Sequence, residues 1–215
     1  GADPAAADDA PVDQQLQATG VGNPATFRCV IETTPASQEF YHKSWPLGYV
    51  GEEGFGNLKF DSGIDIPMPE DVDFAPGEIK VVDLGVRVRG LQLFWNMGCT
   101  YPASVPSAFA LVPRSSISKP GVRALILTNS PGTVDVGYNG PLKACLMNLG
   151  NTPLRIPRGT AVVQVVAPTL APIEYMSGPR ESAVAQRAFP ETMRGEGGFG
   201  STGAAGSAAA PPPPQ

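Results

Sequence analysis

The segment richest in chemical groups is the glycine-rich decapeptide RGEGGFGSTG (194–203). It combines a guanidinium, approachable backbone N–H groups, two hydroxyls and one aromatic ring, which together can hold a polyphosphate and stack on a base. Its glycines also match the dinucleotide-binding fingerprint, but no strand leads into the segment and no helix follows it, so we reject that interpretation. The remaining alternative is an inert linker. The composition favours a segment that a ligand orders as it closes over a site.

A second set of anion-binding groups lies in PRSSISK (113–119), at the end of an apolar stretch. Arg114 would supply positive charge, while Ser115 and Ser116 would donate hydrogen bonds to phosphate oxygens. The same residues also suit a plain turn, in which proline sets the geometry and the serine hydroxyls bond to nearby backbone. Taken alone, this segment leaves both interpretations open.

One acid and one aromatic side chain stand out in NSPGTVDVGYNG (129–140), which predicts a strand–turn–strand hairpin. Asp135 lies between the apolar residues Val134 and Val136, and Tyr138 follows three residues later. A lone aspartate in a strand usually faces solvent. An aspartate that points into a phosphate site can instead orient and deprotonate a water molecule.

Histidine and cysteine chemistry fits the chain poorly. There is one histidine, His42, and there are three widely spaced cysteines, Cys29, Cys99 and Cys145. A single histidine with scattered partners predicts neither a zinc site nor histidine acid–base catalysis. Separated cysteines in odd number argue against a disulfide framework. We therefore expect a reducing, intracellular compartment, cytoplasmic or nuclear, an infected host cell included.

The elements that must position these groups are short strands. Glycine (25 residues) and proline (24 residues) are about twice as common in the 215-residue chain as in an average protein. With only 16% charged and 7% aromatic residues, this composition suits an all-β sandwich or barrel rather than a helical bundle. A net charge of −5 without a basic cluster argues against nucleic-acid binding. No stretch approaches the roughly 18 apolar residues of a membrane span, so we expect a soluble protein.

Alternation of apolar and polar residues places the individual elements. Strands are predicted at 25–34, 79–90, 109–114, 122–128, within 132–150 and within 153–170. In 79–90, one face carries Val82, Leu84, Val86 and Val88, and the opposite face carries Asp83, Arg87 and Arg89. A short helix is predicted at 182–189, whereas 94–107 is predicted to be a loop too long for a hairpin.

Composition also divides the chain into five parts. Residues 1–24 predict a disordered N-terminal segment, and residues 204–215 predict a disordered Ala/Pro tail with an extended polyproline run. Between them we expect a β-barrel at 25–176, a linker at 177–193 and the glycine-rich arm at 194–203.

Five segments, taken in order, resemble the five motifs of the trimeric dUTPase family and span most of the chain between the predicted tails. They are SGIDIPMPEDVDFAPGE (62–78), PRSS (113–116), NSPGTVDVGYNG (129–140), IPRGTAVVQVV (156–166) and RGEGGFGSTG (194–203). The fourth motif is weak on its own and the fifth is strong. Their common order and plausible separations make the resemblance specific.

The resemblance implies an all-β, jelly-roll-like β-barrel of the dUTPase-like β-clip type. It implies a homotrimer whose active sites lie between subunits, each built from motifs of all three chains and covered by a flexible C-terminal arm. It further implies Mg²⁺-dependent hydrolysis of dUTP to dUMP and pyrophosphate, which limits uracil incorporation into DNA and supplies dUMP for thymidylate synthesis. The insertions and the proline-rich tail are candidate docking segments for protein partners.

Carried over position by position, the resemblance also implies roles for single residues. Asp135 would be the base that activates the attacking water, and Asp65 would hold Mg²⁺ through water. The nucleoside would be bound by Asn129 and the hairpin backbone at Gly132 and Val134, by Tyr138 under the deoxyribose, and by Phe199 stacked on uracil. The phosphates would be held by Arg114, Ser115, Ser116 and Gln164, and covered by Arg194, Gly200, Ser201 and Thr202.

The chain departs from the family pattern at three positions. Gly137 stands where a second acidic residue is common, Ala161 where an arginine is usual, and Ser116 where the second motif often has glycine. The resemblance also covers 42–58 and 94–107 poorly, so both are predicted to be additions.

Two alternatives compete with the dUTPase interpretation. A dCTP deaminase shares the fold and a similar RSS and VDxGY pattern, but it needs a glutamate in the strand after the hairpin, where this chain has Cys145, and it lacks the arm. A non-catalytic, partner-binding protein on the same scaffold is the second. The joint presence of Asp135, Tyr138, Arg194 and Phe199 argues against it.

Overall fold

A computed structural model describes residues 27–41, 61–94, 103–189, 192 and 195–196. Within these ranges the chain forms thirteen strands, one short α-helix and two 3-10 turns, so the all-β prediction is confirmed. The strands are β1 (Phe27–Thr33), β2 (Gly63–Pro67), β3 (Val72–Phe74), β4 (Ile79–Asp83), β5 (Val86–Phe94), β6 (Ala103–Ser107), β7 (Phe109–Pro113), β8 (Leu125–Leu127), β9 (Gly132–Val134), β10 (Lys143–Asn148), β11 (Leu154–Ile156), β12 (Ala161–Val166) and β13 (Ile173–Pro179). The α-helix is α1 (Ala183–Ala188), and the 3-10 turns are Gln38–Phe40 and Ser115–Ser118.

The strands form four small sheets around one core. Their orders are β13-β1-β5-β6, β4-β10-β8, β11-β3 and β2-β12-β7-β9. Strand β1 pairs in parallel with β13 and antiparallel with β5. Strict alternation of buried and half-buried residues in β10 shows how one face of each strand supplies the core. The largest fully buried side chains are Phe27, Phe74, Ile31, Ile66, Met68, Leu84, Leu93, Leu125, Leu146 and Ile156.

The predicted strand at 79–90 is two strands, because Gly85 interrupts it. Gly85 has a φ of +67°, a conformation that disfavours side chains, and the chain turns there from β4 into β5. The four apolar residues of the predicted inner face are all buried, as expected. Arg89, assigned to the outer face, is also buried, because other segments cover that side of β5.

The hairpin predicted at 129–140 is wrong, because the two strands that flank the turn belong to different sheets. Strand β9 pairs with β7, whereas β10 pairs with β4 and β8. Leu142 accounts for the separation. It is buried, donates its N–H to Val86 O at 2.7 Å and accepts from Leu84 N at 2.9 Å, which directs the chain to the β4–β5 junction. Residues 135–142 therefore connect two sheets.

The segment 94–107 is partly strand rather than all loop. Strand β6 forms the end of this segment and pairs antiparallel with β5, with Phe94 opposite Ala103. The polar-looking ASVPS sequence is therefore an edge strand.

The helix predicted at 182–189 is confirmed as α1, with Ser182 Oγ accepting from Ala185 N at its start. Strand β13 and α1 extend beyond residue 176, where the barrel was predicted to end. Residues 1–24, the whole of the 42–58 addition with His42, Cys99, and the 204–215 tail lie outside the described residues.

Candidate active site

Two residues predicted to bind phosphate, Arg114 and Gln164, lie close to Asp65, which was predicted to hold Mg²⁺ through water. Asp65 on β2 is in register with Gln164 on β12, and Gln164 is in register with Val112 on β7. Arg114 follows β7 directly and donates its backbone N–H to Val162 O at 2.8 Å. The sheet order β2-β12-β7 thus brings parts of the first, second and fourth motifs together.

Arg114 and Asp65 form an ion pair at the centre of this cluster. Arg114 Nε lies 2.6 Å from Asp65 Oδ1, and the two side chains are 38% and 43% exposed. The exposure limits the contribution of the pair to folding stability. It also leaves the guanidinium accessible, and its planar fork has further N–H donors suited to phosphate oxygens.

The structure separates the two serines that follow Arg114. Ser116 is 8% exposed and donates its hydroxyl to Ala161 O at 2.6 Å, so the structure favours the backbone-bonding alternative for this residue. Two of the positions that depart from the family pattern, 116 and 161, therefore contact each other. Ser115 is exposed, and its carbonyl accepts from Ser118 Oγ at 2.7 Å. Of these two serines, only Ser115 is exposed enough to contact a ligand.

Gln164 is held above a glycine. Its Nε2 donates to Pro113 O at 3.3 Å, and its Oε1 would lie 2.2 Å from a Cβ at Gly63. The missing side chain at Gly63 makes room for the Gln164 amide, whose hydrogen-bond partner Pro113 directly precedes Arg114.

The residues predicted to read the base lie around β9. Gly132 is buried opposite Leu111, and a Cβ there would lie 3.2 Å from Nδ2 of Asn129. Asn129 is exposed, and Val134 is half-buried opposite Phe109. The Ser130–Pro131 peptide bond between them is cis.

Asp135 and Tyr138 bracket a tight turn that begins where β9 ends. Tyr138 N donates to Asp135 O at 3.1 Å, which closes the turn, and the Asp135 side chain is exposed. The Tyr138 hydroxyl donates to Pro141 O at 2.7 Å. The ring lies so close to Gly140 that a Cβ there would be 2.6 Å from the hydroxyl oxygen. Gly140 therefore gives Tyr138 its position.

Two arginines on β5, Arg87 and Arg89, bind the turn at 135–139, and the sequence analysis did not predict this role. Arg87 Nε donates to Asn139 O at 2.6 Å, and Arg89 donates to Val136 O and to Asn139 Oδ1. The Phe189 ring lies 4.5 Å from the Arg87 guanidinium and 5.6 Å from that of Arg89. Alternation with buried valines predicted only a solvent-facing strand side, so no sequence signal distinguished these residues.

The C-terminal segment also contacts the turn. Thr192 Oγ1 donates to Gly137 O at 2.5 Å, and Gly195 O accepts from Asn139 N at 2.9 Å. An open cleft of about 750 Å³ lies beside this contact, and Arg87, Phe189 and Thr192 are among its lining residues. The predicted arm residues Arg194, Phe199, Gly200, Ser201 and Thr202 lie outside the described residues, so their roles stay predictions.

The predicted site falls into two half-sites, which lie at opposite ends of β7. The phosphate half-site contains Asp65, Arg114 and Gln164, and the second half-site contains Asp135 and Tyr138. Val134 is opposite Phe109, so Asp135 begins beside Ala108, whereas Arg114 lies six residues further along β7. At about 3.3 Å per residue, this places the two backbones roughly 20 Å apart. One chain thus brings Asp65, Arg114 and Gln164 together but does not bring Asp135 and Tyr138 to them.

Sequence comparisons with known proteins find similarity over about two thirds of the chain. A family model described as dUTPase matches residues 59–203. A deoxyuridine 5'-triphosphate nucleotidohydrolase of Mycolicibacterium gilvum is 33% identical over 147 residues, which cover 66% of this chain and 82% of the relative. One of the same name from Mycobacterium leprae is 34% identical over 144 residues, with the same coverage. Among solved structures, a dUTPase from Streptococcus mutans covers 63% of this chain and 91% of its own, at 22% identity and a TM-score of 0.39. The chain belongs to the dUTPase family.

Proposed function

We propose that this protein hydrolyses dUTP to dUMP and pyrophosphate as a Mg²⁺-dependent homotrimer. The observation that supports the proposal is the presence of two half-sites inside the region that matches the dUTPase family. One contains Arg114 and Gln164, whose donors suit phosphate, and the other contains the acid Asp135 and the fixed Tyr138. The relatives compared above carry the name of this activity.

The phosphate half-site would bind the triphosphate through fixed donors. Arg114 is oriented by Asp65, and Gln164 is oriented by Pro113 O, so both groups are preorganised before substrate arrives. The exposed Ser115 hydroxyl adds a neutral donor. Preorganised donors hold the phosphate chain in line for attack without reorganising during the reaction.

The second half-site would supply the base and the selection of the sugar. Asp135 is exposed at the end of β9, where its carboxylate can take a proton from a water molecule as that water attacks phosphorus. Tyr138 is fixed by Pro141 O and Gly140. Its ring would pack under the deoxyribose and leave no room for a 2′-hydroxyl. Asn129 and the backbone at Gly132 and Val134 would read the uracil edge.

The residues present fit one magnesium ion shared with the substrate. The described residues bring together no group of three or more histidine, cysteine, aspartate or glutamate side chains. Mg²⁺ does not need such a cage, because it keeps several waters and binds one or two carboxylates plus substrate phosphates. Asp65, beside the phosphate-binding Arg114, would hold it through water. When bound, the ion would neutralise charge on the phosphates.

The residue types of the glycine-rich arm suit the remaining contacts with the substrate. We assign Phe199 to stacking on uracil, with Arg194, Ser201 and Thr202 on the terminal phosphate and Gly200 giving close backbone approach. Base–aromatic stacking and charge-assisted hydrogen bonds are the interactions that these groups supply.

Two observations support a trimer with sites between subunits. First, the half-sites of one chain are roughly 20 Å apart, so a second copy must bring Arg114 to Asp135. Second, the sheet β4-β10-β8 has an apolar side that faces away from the core. On this outer apolar face, Ile79 and Val81 are 56% and 54% exposed, and their register partners are Met147 and Cys145. Exposed faces of this kind mark protein–protein contacts.

Mixing two inactive variants tests whether the half-sites come from different chains. Asp135→Asn and Arg114→Ala homotrimers are each expected to be nearly inactive. Unfolded together and refolded as a 1:1 mixture, they should recover about a quarter of wild-type activity, because that share of sites combines the intact residue of each chain. A control mixture of wild type with the Asp135→Asn/Arg114→Ala double variant, refolded in the same way, measures how well the mixed chains reassemble. Recovery of no activity would show that both residues act within one chain.

The activity itself is tested by pyrophosphate release from dUTP, with and without Mg²⁺. Incubation with dCTP, with ammonia as the readout, separates the deaminase alternative. Strand β10 carries no acidic residue, and Cys145 lies on its outer side, opposite Val81, which disfavours that alternative. Pyrophosphate from dUTP supports the proposal. Release of ammonia from dCTP would reject the proposal in favour of a deaminase. Absence of both products would reject it in favour of a partner-binding protein.

Gly140→Ala tests the role of Tyr138. The new methyl group would lie 2.6–3.0 Å from three Tyr138 ring and hydroxyl atoms, so the tyrosine must leave its bond to Pro141 O. We expect discrimination of dUTP over UTP, measured as the ratio of kcat/KM values, to fall by about tenfold or more. Gly63→Ala is the matched control, because it displaces only the flexible end of Gln164 and should leave sugar discrimination intact. Unchanged discrimination in Gly140→Ala would contradict the role given to Tyr138.

We assign the protein a role in removing dUTP before DNA synthesis and in supplying dUMP for thymidylate, in an intracellular compartment. No helix in the described ranges combines the length and apolar character needed to cross a membrane. The additions at 42–58 and 94–107 and the proline-rich tail stay candidates for binding protein partners.

A further inference from the structure

The turn from 135 to 139 is held by an arginine that lies away from the ligand side. Arg89 Nη1 donates to Val136 O, Nη2 donates to Asn139 Oδ1, and Nε donates to Ala188 O at 3.0 Å. Val136 follows Asp135, and Asn139 follows Tyr138. One guanidinium therefore fixes the neighbour of the proposed base and the neighbour of the proposed sugar-binding tyrosine.

Burial distinguishes Arg89 from a residue that binds ligand. Arg89 is 5% exposed, and it is not among the residues that line the neighbouring cleft, although Arg87 is. Its three acceptors are uncharged oxygens, and the nearby carboxylate of Glu32 instead pairs with Arg87 at 2.9 Å. Burying a guanidinium costs free energy that neutral acceptors only partly offset. Burial and the charge of Arg87 together lower the pKa of Arg89 from its ordinary value.

The shape of the guanidinium explains why arginine occupies this position. Its planar fork directs three N–H groups at fixed angles to the turn and to the end of α1, while Phe189 packs against it at 5.6 Å. A lysine ammonium on a flexible stem can keep the charge but cannot fix three oxygens that lie on two separate segments.

We propose that Arg89 is a positioning residue for the dUTPase reaction, which sets the turn that carries Asp135 and Tyr138 and joins that turn to α1. This inference rests on the proposed function. It assigns a role to a residue where the sequence pattern predicted only a solvent-facing side chain.

Arg89→Met and Arg89→Lys test this role, with Arg158→Met as the matched control. Arg158 also packs on a phenylalanine, with Phe40 at 4.9 Å, and donates to two backbone carbonyls, but it does not contact the turn. For Arg89→Met we expect kcat for dUTP to fall about 10- to 100-fold, as small misplacements of reacting groups do. Discrimination against UTP should fall in the same variant. Arg89→Lys should keep the positive charge and the fold but should not restore kcat, and Arg158→Met should keep both kcat and the discrimination against UTP.

Deuterium exchange of the full-length chain provides a readout that does not depend on activity. In Arg89→Met, peptides covering 135–140 should exchange faster, whereas peptides from β10 and β12 should not. Arg158→Met should leave 135–140 unchanged. Wild-type kcat in either Arg89 variant, or unchanged exchange of the turn, would overturn the role of Arg89. Inactive wild type with faster exchange of the turn in Arg89→Met would reject the proposed function and keep the structural coupling.

Discussion

Asp135→Asn is expected to lower the turnover of dUTP by about 10²- to 10⁴-fold while nucleotide binding is kept, because general-base catalysis contributes a factor of that size. The amide keeps the shape of the side chain at the exposed end of β9 but cannot accept a proton from water. The turn should persist, since the hydrogen bond that closes it joins the backbone of Asp135 to that of Tyr138. Turnover is measured by pyrophosphate release, and binding by titration with α,β-imido-dUTP.

Asp61→Asn is a suitable control for this experiment. Asp61 is an exposed aspartate whose backbone carbonyl, rather than its side chain, accepts from Ile173 N at 2.9 Å. It should therefore keep wild-type turnover. Unchanged turnover in Asp135→Asn would remove Asp135 from the role of base, and loss of binding along with turnover would show that the residue acts on substrate affinity instead.

Val81→Asp is expected to abolish both the trimer and the activity. Val81 is in register with Cys145 and lies on the same side of β4 as Ile79, so its side chain is central to the outer apolar face. In a trimer that covers this face, the carboxylate would be buried without a partner at a cost of at least about 3 kcal/mol at each interface. If the two half-sites come from different chains, as proposed, loss of the trimer also removes the activity. The measurement is molar mass by light scattering together with pyrophosphate release.

Val105→Asp makes the same chemical change on another exposed strand. Val105 is 47% exposed on the edge strand β6, so its replacement tests solubility and folding without altering the outer apolar face. It should stay trimeric and active. A trimeric, active Val81→Asp protein would move the subunit contact to another face, and an unfolded one, seen by circular dichroism, would show that Val81 supports the monomer itself.

Much of the fold follows from local patterns. Alternation of apolar residues predicted β1, β7, β12 and the inner face of β4 and β5, because burial of one strand face repeats every second residue. The serine before 183–188 and the helical residues after it predicted α1. Which strands pair with each other was harder to predict from the sequence. The hairpin at 129–140 was wrong because a turn sequence describes only the local chain reversal, whereas burial of Leu142 decides which sheet the next strand joins.

The residues of the site divide in the same way. Sequence alone determined the family and predicted the order of the motifs and the site residues Asp135, Arg114 and Tyr138, since these depend on residue type and spacing. Only the tertiary structure decided that Ser116 bonds to Ala161 O, that Arg89 is buried under the turn, and that the half-sites lie at opposite ends of β7. These features arise from contacts between residues distant in the chain, and a buried arginine or serine has the same local sequence pattern as an exposed one.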